Sequence, residues 1–351
     1  MFVVNGRFLT QKPTGIQRYA FEICNQLHAL GADFYVATPQ NINPDYKFEF
    51  KTVKCGSLDT HLWEQINLPR YLKRNGNPLL VSFSGSGPLN YSNQIMTIHD
   101  VSQERHPEWF SPNFVRFYHF MYPRVAKKSH AVITVSEFSK REITETLNIP
   151  AEKIHVINCS AGHYHDNIQN NTSPTVENNE RYLLTVSSMD PRKNFVRLVE
   201  AFKKIDDKSV KLYIIGMKFK AFNTPDLLNL INENIVLPGY IDDDVLRDKY
   251  RNALGFIYPS LYEGFGIPPL EAMTYGCPVI NSDIPALRET SGDAVLYTDP
   301  FDIEDMTSKM NLLVSDNDLR KSLQVKGYEQ AKKYSWEKSA RKVLDLVNRY
   351  I

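Results

Sequence analysis

Two glutamates eight positions apart, Glu263 and Glu271, bracket a loop rich in glycine and proline; residues 258–276 read YPSLYEGFGIPPLEAMTYG. Gly264 and Gly266 carry no Cβ and let a ligand approach the backbone closely. Pro268 and Pro269 suit a first helical turn, where a missing amide donor costs nothing. The remaining free amides of that turn attract an anion. On such a scaffold one carboxylate would face a sugar and the other a ribose. The same residues would also make an ordinary surface loop with two solvated glutamates. The coincidence of all these features favours a ligand site.

A second group fits the same ligand. Arg192 and Lys193 lie in the turn between a strand that ends near Val186 and a helix that starts near Asn194. Adjacent cations at a strand-to-helix turn suit a diphosphate: Arg grips two oxygens in a fork, and Lys adds a point charge. Taken alone, the pair fits a solvated basic turn equally well.

The first half of the chain offers less. Gly15 follows the first strand and opens a helix, where its amide would reach a phosphate. His99 and Asp100 end another strand. An exposed strand-end histidine beside an aspartate could anchor a sugar, although a lone histidine is more often structural. Ser136 follows a further strand and would either line a ligand cleft or cap the next helix. Two motifs are set aside. Asp242, Asp243 and Asp244 match a metal-binding D-x-D pattern, but they stand directly before a helix, where acidic residues favour the macrodipole. Gly85 and Gly87 follow a strand, but Asn90 stands where a dinucleotide fingerprint needs its third glycine.

Together these stretches carry a resemblance. The span from Glu263 to Glu271 resembles the E-x7-E motif of retaining family-4 glycosyltransferases. Arg192-Lys193-Asn194, the stretch 237–241 (LPGYI) and the stretch 281–285 (NSDIP) are similar to that family's second domain. Residues 97–112 resemble the first domain of its mannosyl- and rhamnosyltransferase-like members, which moves His99 from a structural to a functional reading. The resemblance implies a GT-B fold, with two Rossmann-like doubly wound parallel-sheet domains facing a central cleft. It implies that Arg192 and Lys193 hold the pyrophosphate and that Glu271 binds the ribose hydroxyls. Glu263, with amides around Phe265, Gly266 and Ile267, would contact the donor sugar. The backbone at Gly239, Tyr240 and Ile241 would lie near the base, and Gly15 would face the phosphates from the opposite wall. His99 and Glu263 would position the sugar. Transfer from a nucleotide diphosphate sugar would be metal-independent and retaining, with no cofactor. The leading donor is GDP-mannose and the expected acceptor a glycan, lipid-linked, in bacterial O-antigen or capsule synthesis. A sugar-nucleotide epimerase or hydrolase on the same scaffold, or a non-catalytic sugar-nucleotide-binding subunit, is the alternative.

The elements needed to hold these residues are legible as alternation. Short aliphatic or β-branched runs are predicted as strands at 2–4, 34–37, 79–83, 95–98, 131–134 and 154–157 in the first half. In the second half they fall at 182–186, 211–215, 235–237, 255–258, 278–281 and 294–297. Helical periods lie between many of them, the signature of parallel sheets flanked by helices. Residues 166–180 are polar and aperiodic, so the expected division is a domain at 1–165, a linker at 166–180, a second domain at 181–334, and a C-terminal helix at 335–351 that returns to the first domain.

Composition narrows the partners. A chain of 351 residues with 42% hydrophobic and 23% charged residues has enough apolar side chains for two cores. A net charge of +1 argues against nucleic acid, which demands a strong basic excess. Cys24, Cys55, Cys159 and Cys277 form no ligand-spaced pair and read as reduced thiols of a cytoplasmic chain. No run approaches the ~18 apolar residues of a membrane span. Residues 107–128 combine aromatics with Arg124, Lys127 and Lys128, and Arg70, Lys73 and Arg74 add a second basic group. Such a surface would make peripheral contact with an anionic inner-membrane face; a core helix with solvated lysines would look the same in sequence.

Overall fold

In the computed structural model, residues 1–161, 180–188, 190–216 and 232–351 are described. The linker expected at 166–180 falls outside them apart from Glu180. The chain forms two compact units, Met1–Cys159 with Ser335–Ile351, and Ser160–Tyr334.

The first unit holds seven parallel strands: β1 (Phe2–Asn5), β2 (Phe34–Thr38), β3 (Thr52–Lys54), β4 (Leu80–Ser82), β5 (Gln94–Thr97), β6 (Ala131–Thr134) and β7 (Ile154–Val156), in the order β3-β2-β1-β4-β5-β6-β7. Among the described residues the second holds six: β8 (Tyr182–Val186), β9 (Lys211–Ile215), β10 (Ile235–Gly239), β11 (Gly255–Tyr258), β12 (Val279–Ser282) and β13 (Leu296–Thr298), in the order β10-β9-β8-β11-β12-β13. All the predicted strands are present. The seventh strand of the first sheet, β3, was not foreseen: it is a half-exposed three-residue edge, TVK, too short to carry a period.

Each order is that of a doubly wound sheet. The winding reverses between β1 and β4 in the first unit and between β8 and β11 in the second, and ligands of such sheets bind outside the carboxyl ends of the strands at that reversal. The central strands are buried along their whole length, β1 as FVVN and β11 as GFIY, because helices cover both faces of a parallel sheet.

The helix Trp336–Val347 belongs to the first unit. Trp336 packs edge-on against Tyr19 at 5.7 Å between ring centroids, Ser339 Oγ donates to the Asn158 carbonyl at 2.7 Å, and Tyr350 stacks on His130 at 4.9 Å. These contacts tie the last helix to the helix Gly15–Ala29, to the turn that leads into β6 and to the loop that follows β7.

Candidate active site

At the switch point of the second sheet, β8 leads into a 3-10 turn, Pro191–Lys193. Asp190 starts that turn: its Oδ1 accepts from the Arg192 amide at 3.1 Å and its Oδ2 from Arg192 Nε at 3.3 Å. Asn194 ends the turn in the left-handed region at φ 60°, a conformation that asparagine tolerates far better than most residues. Its Nδ2 donates to the carbonyls of Pro259 at 3.1 Å and Pro300 at 2.7 Å, and the Leu261 amide donates to the Arg192 carbonyl at 2.7 Å. The turn after β8 is thereby fastened to the loops after β11 and β13.

The fastening turns Lys193 inward. Its Nζ donates to the Tyr258 hydroxyl at 2.8 Å and to Glu263 Oε1, and it lies 4.9 Å from the centre of the Tyr258 ring. Both charged side chains are less than a tenth exposed. Burial by itself would raise the Glu263 carboxyl; the cations of Lys193 and Arg192 outweigh it and hold that group below the ordinary carboxylate range. Burial pulls the Lys193 ammonium down, opposed chiefly by Glu263. Each partner thus favours the charged form of the other against the cost of burial.

Beyond Glu263, Gly264 and Phe265 are buried, and Gly266 starts the helix Ile267–Thr274 at φ +97°. A Cβ at Gly266 would stand 2.4 Å from Leu287 Cδ2, so position 266 requires glycine on conformation and on space. Pro268 and Pro269 occupy the first turn. Glu271 lies inside the helix, 5% exposed, and its Oε2 accepts from the Tyr250 hydroxyl at 3.5 Å. Gly239 ends β10 at φ +78°, and Tyr240 beside it is 69% exposed, with Ile241 half-buried.

Arg192, Lys193, Glu263, Gly264, Phe265, Gly266, Ile267 and Glu271 thus belong to one wall at the β8–β11 switch. Sequence reasoning missed three groups that shape it: Asp190, Tyr258 and Tyr250. An Asp-Pro pair ahead of the cations was a readable cap signal. The two tyrosines gave none, since each reaches its partner across long sequence separation.

In the first unit the expected exposed His99 is a correction: the residue is only 9% exposed. The edge of Tyr19 packs on it at 5.0 Å, and its Nε2 bonds the Phe83 carbonyl at 2.8 Å. A carbonyl accepts only, so Nε2 carries the proton and Nδ1 is the acceptor of the neutral ring. Burial holds the imidazole below its ordinary value, against the pull of the Phe83 carbonyl and Asp100. Asp100 Oδ1 accepts from the Ser102 amide at 2.9 Å. Ser136 is the N-cap of the helix Glu137–Leu147, its Oγ accepting from the Ser139 amide at 2.9 Å. Gly15 is the exposed first residue of its helix. Asp242 stands at the N-cap position of the helix Asp243–Asn252, and Asp244 pairs with Arg247 at 3.0 Å.

A buried network at the first sheet's switch had no sequence signal. Glu64 Oε1 accepts from Asn5 Nδ2 at 2.7 Å, Ser86 Oγ at 2.8 Å and Arg7 Nε at 3.2 Å. Glu64 sits in a π-helical turn, Trp63–Asn67, an irregularity frequent at functional sites.

Residues 13–160 match the family model described as Glycosyltransferase Family 4, and residues 167–330 match that described as Glycosyl transferases group 1. The chain is 30% identical to the O-antigen chain mannosyltransferase B of Escherichia coli over 71% of its own length and 68% of that protein's. It is 27% identical to the O-antigen chain mannosyltransferase RfbU of Salmonella typhimurium, over 86% and 87% of the two chains. Among solved structures it superposes on WaaG, a glycosyltransferase involved in lipopolysaccharide biosynthesis, with a TM-score of 0.74 at 16% identity, covering 99% and 98% of the two chains. It also superposes on a sucrose-phosphate synthase from Thermosynechococcus elongatus with a TM-score of 0.76 at 18% identity and the same coverage.

Proposed function

Because the chain belongs to glycosyltransferase family 4, we propose that it transfers mannose from GDP-mannose to a glycan acceptor carried on a lipid, with retention of configuration and without a metal ion. The observation that carries this reading is the buried Lys193–Glu263 ion pair set beside Arg192 and the helix start at Gly266. The O-antigen mannosyltransferases among its relatives support the choice of sugar and pathway.

The proposed reaction breaks the bond between the sugar C1 and the β-phosphate oxygen. Negative charge then grows on that oxygen, and fixed cations and helix amides aimed at developing charge are the strongest general source of rate enhancement. Arg192, Lys193 and the backbone amides around Phe265, Gly266 and Ile267 supply them. The acceptor hydroxyl forms its new bond to C1 on the face the phosphate leaves, and its proton passes to the departing phosphate oxygen. Glu263 holds Lys193 in place and contacts the sugar. Glu271 takes the ribose hydroxyls, and the backbone at Gly239–Ile241 lies by the base. His99 offers Nδ1 as acceptor to a sugar hydroxyl.

A lipid carrier suits the helix Pro112–Lys128, on which Phe114 and Phe120 are exposed and Arg124 stacks on Phe120 at 3.8 Å. Proton NMR of the product tests the stereochemistry: retention gives the donor's own anomer in the new linkage. The opposite anomer would overturn the proposed course, and release of free mannose or an epimerised nucleotide sugar as the sole product would overturn transfer.

A further inference from the structure

A groove of about 260 Å³ in the first unit shares no residue with the donor wall. It runs along β7, the outer strand of the sheet, where Ile154 is buried. Lys140 flanks it from the helix Glu137–Leu147. The helix Trp336–Val347 contributes Lys342, Asp345 and the buried Leu346, and Arg349 follows just past its end. Positions 342, 345, 346 and 349 are three, four and seven apart, so they share one face.

Three cations, Lys140, Lys342 and Arg349, face one carboxylate, Asp345, which leaves an excess of two positive charges. Asp345 stands three residues after Lys342 and four before Arg349, spacings at which helix ion pairs form. The pairs are not made: among the described residues none of these four side chains has an ion-pair or hydrogen-bond partner. The half-buried His155 of β7 also lines the groove. Burial holds its imidazole below the ordinary value, and Arg349 and Lys140 push it the same way. Cations from two separate helical segments thus act on one ring, and that ring, when neutral, offers an N–H donor without adding charge.

Charge and size together select the ligand. A cleft lined by one sign of charge over apolar walls focuses the field and concentrates counter-ions. Arg supplies a fork of donors and Lys a point charge, the combination that meets phosphate oxygens. The volume is below the roughly 300–1,000 Å³ of ordinary small-molecule sites, so the groove suits a headgroup rather than a whole nucleotide. We propose that the groove between β7 and the last helix, lined by Lys140, His155, Lys342 and Arg349, binds a phosphate dianion, either free or as the monoester headgroup of a lipid. This site stands apart from the glycosyl-transfer reading and does not depend on it.

Proton–carbon NMR of the full chain, labelled at histidine, tests it locally; the His155 resonance is assigned from its loss in His155→Gln. The probes are inorganic phosphate and dihexanoyl phosphatidic acid, each compared with chloride at equal ionic strength and neutral pH. At least one probe is expected to shift the His155 resonance saturably, and chloride is not. A stronger response to phosphatidic acid assigns a lipid headgroup, and an equal or stronger response to inorganic phosphate assigns the free anion. Joint Lys342→Ala and Arg349→Ala, at two side chains exposed in the native chain, should weaken binding about tenfold or more. Asp345→Asn, which removes the one carboxylate, should tighten it about threefold. No response to either probe, a response matched by chloride, unchanged affinity in the double variant or weaker binding by Asp345→Asn would overturn the site.

Discussion

Lys193 and Glu263 lie 70 positions apart and meet in a buried ion pair at the switch point of the second sheet. Neither charge would persist there alone, since burial disfavours each and the partner restores it. Removing one partner leaves an uncompensated buried charge, which typically costs about 3–5 kcal/mol. Lys193→Met and Glu263→Gln should each destabilise the chain on that scale in urea unfolding. The double variant should recover much of the loss while remaining inactive. Strict additivity of the two losses would show that the pair does not act as a unit.

For turnover, Glu263→Gln and Arg192→Ala are expected to lower the initial rate of sugar transfer by about a hundredfold or more, the range for removing one preorganised charge-stabilising group. Circular dichroism should show both variants folded at the assay temperature. Near-native rates in both would remove this wall from the reaction.

The pH dependence of stability draws on several groups with depressed values, among them His99 and Glu263, and His155, which burial also holds down, adds to His99 in the same range. His99 is held below its ordinary 6.5, so the unfolded chain binds more protons and stability falls as the pH drops below that value, until the folded imidazole also protonates. Glu263, held below 4.5, contributes stability that is present above that value and lost as the pH falls through its folded value. Both act in the same direction. The native melting temperature should decline between pH 7 and pH 5, and the decline should be shallower in His99→Gln, which keeps a donor for the Phe83 carbonyl. An identical slope in the variant would show that another group governs this range.

Asn194 combines a left-handed backbone with two donated hydrogen bonds. Asn194→Ala should cost about 2–3 kcal/mol, from backbone strain and the two abandoned carbonyls. Asn194→Gly relieves the strain but not the carbonyls and should fall between native and alanine. Chemical denaturation of the three proteins gives the ranking.

The surface of the helix Pro112–Lys128 makes a separate prediction. Charge reversal at Lys127 and Lys128 should reduce co-sedimentation with vesicles containing anionic lipid, each lost charge near the membrane being worth about 1 kcal/mol. Unchanged co-sedimentation would assign this face to ordinary solvated surface.

Much of this arrangement was legible before any coordinates because parallel α/β sheets write themselves as alternation, and their ligand residues follow strand ends. Glu263, Arg192 and Lys193, which the structure brings together, were picked out that way. Pairing across the sheet was not legible: nothing near Lys193 announces that it turns away from solvent to meet Tyr258 and Glu263. His99 was misjudged for the same reason. Its burial is set by Tyr19, 80 positions earlier, and by the loop after β4. The short edge β3 and the π-helical Glu64 left no periodic trace, since one is three residues long and the other departs from the helical period itself.

A thermal-shift panel of GDP, UDP, dTDP and ADP with their sugars, run in EDTA, tests the central claim most directly. GDP-mannose at a hundred times its Kd should stabilise the native chain by about 2.7 kcal/mol, and Glu263→Gln should reduce that shift sharply. Failure of every nucleotide sugar to shift the native chain, or a GDP-mannose shift that survives intact in Glu263→Gln, would contradict the account.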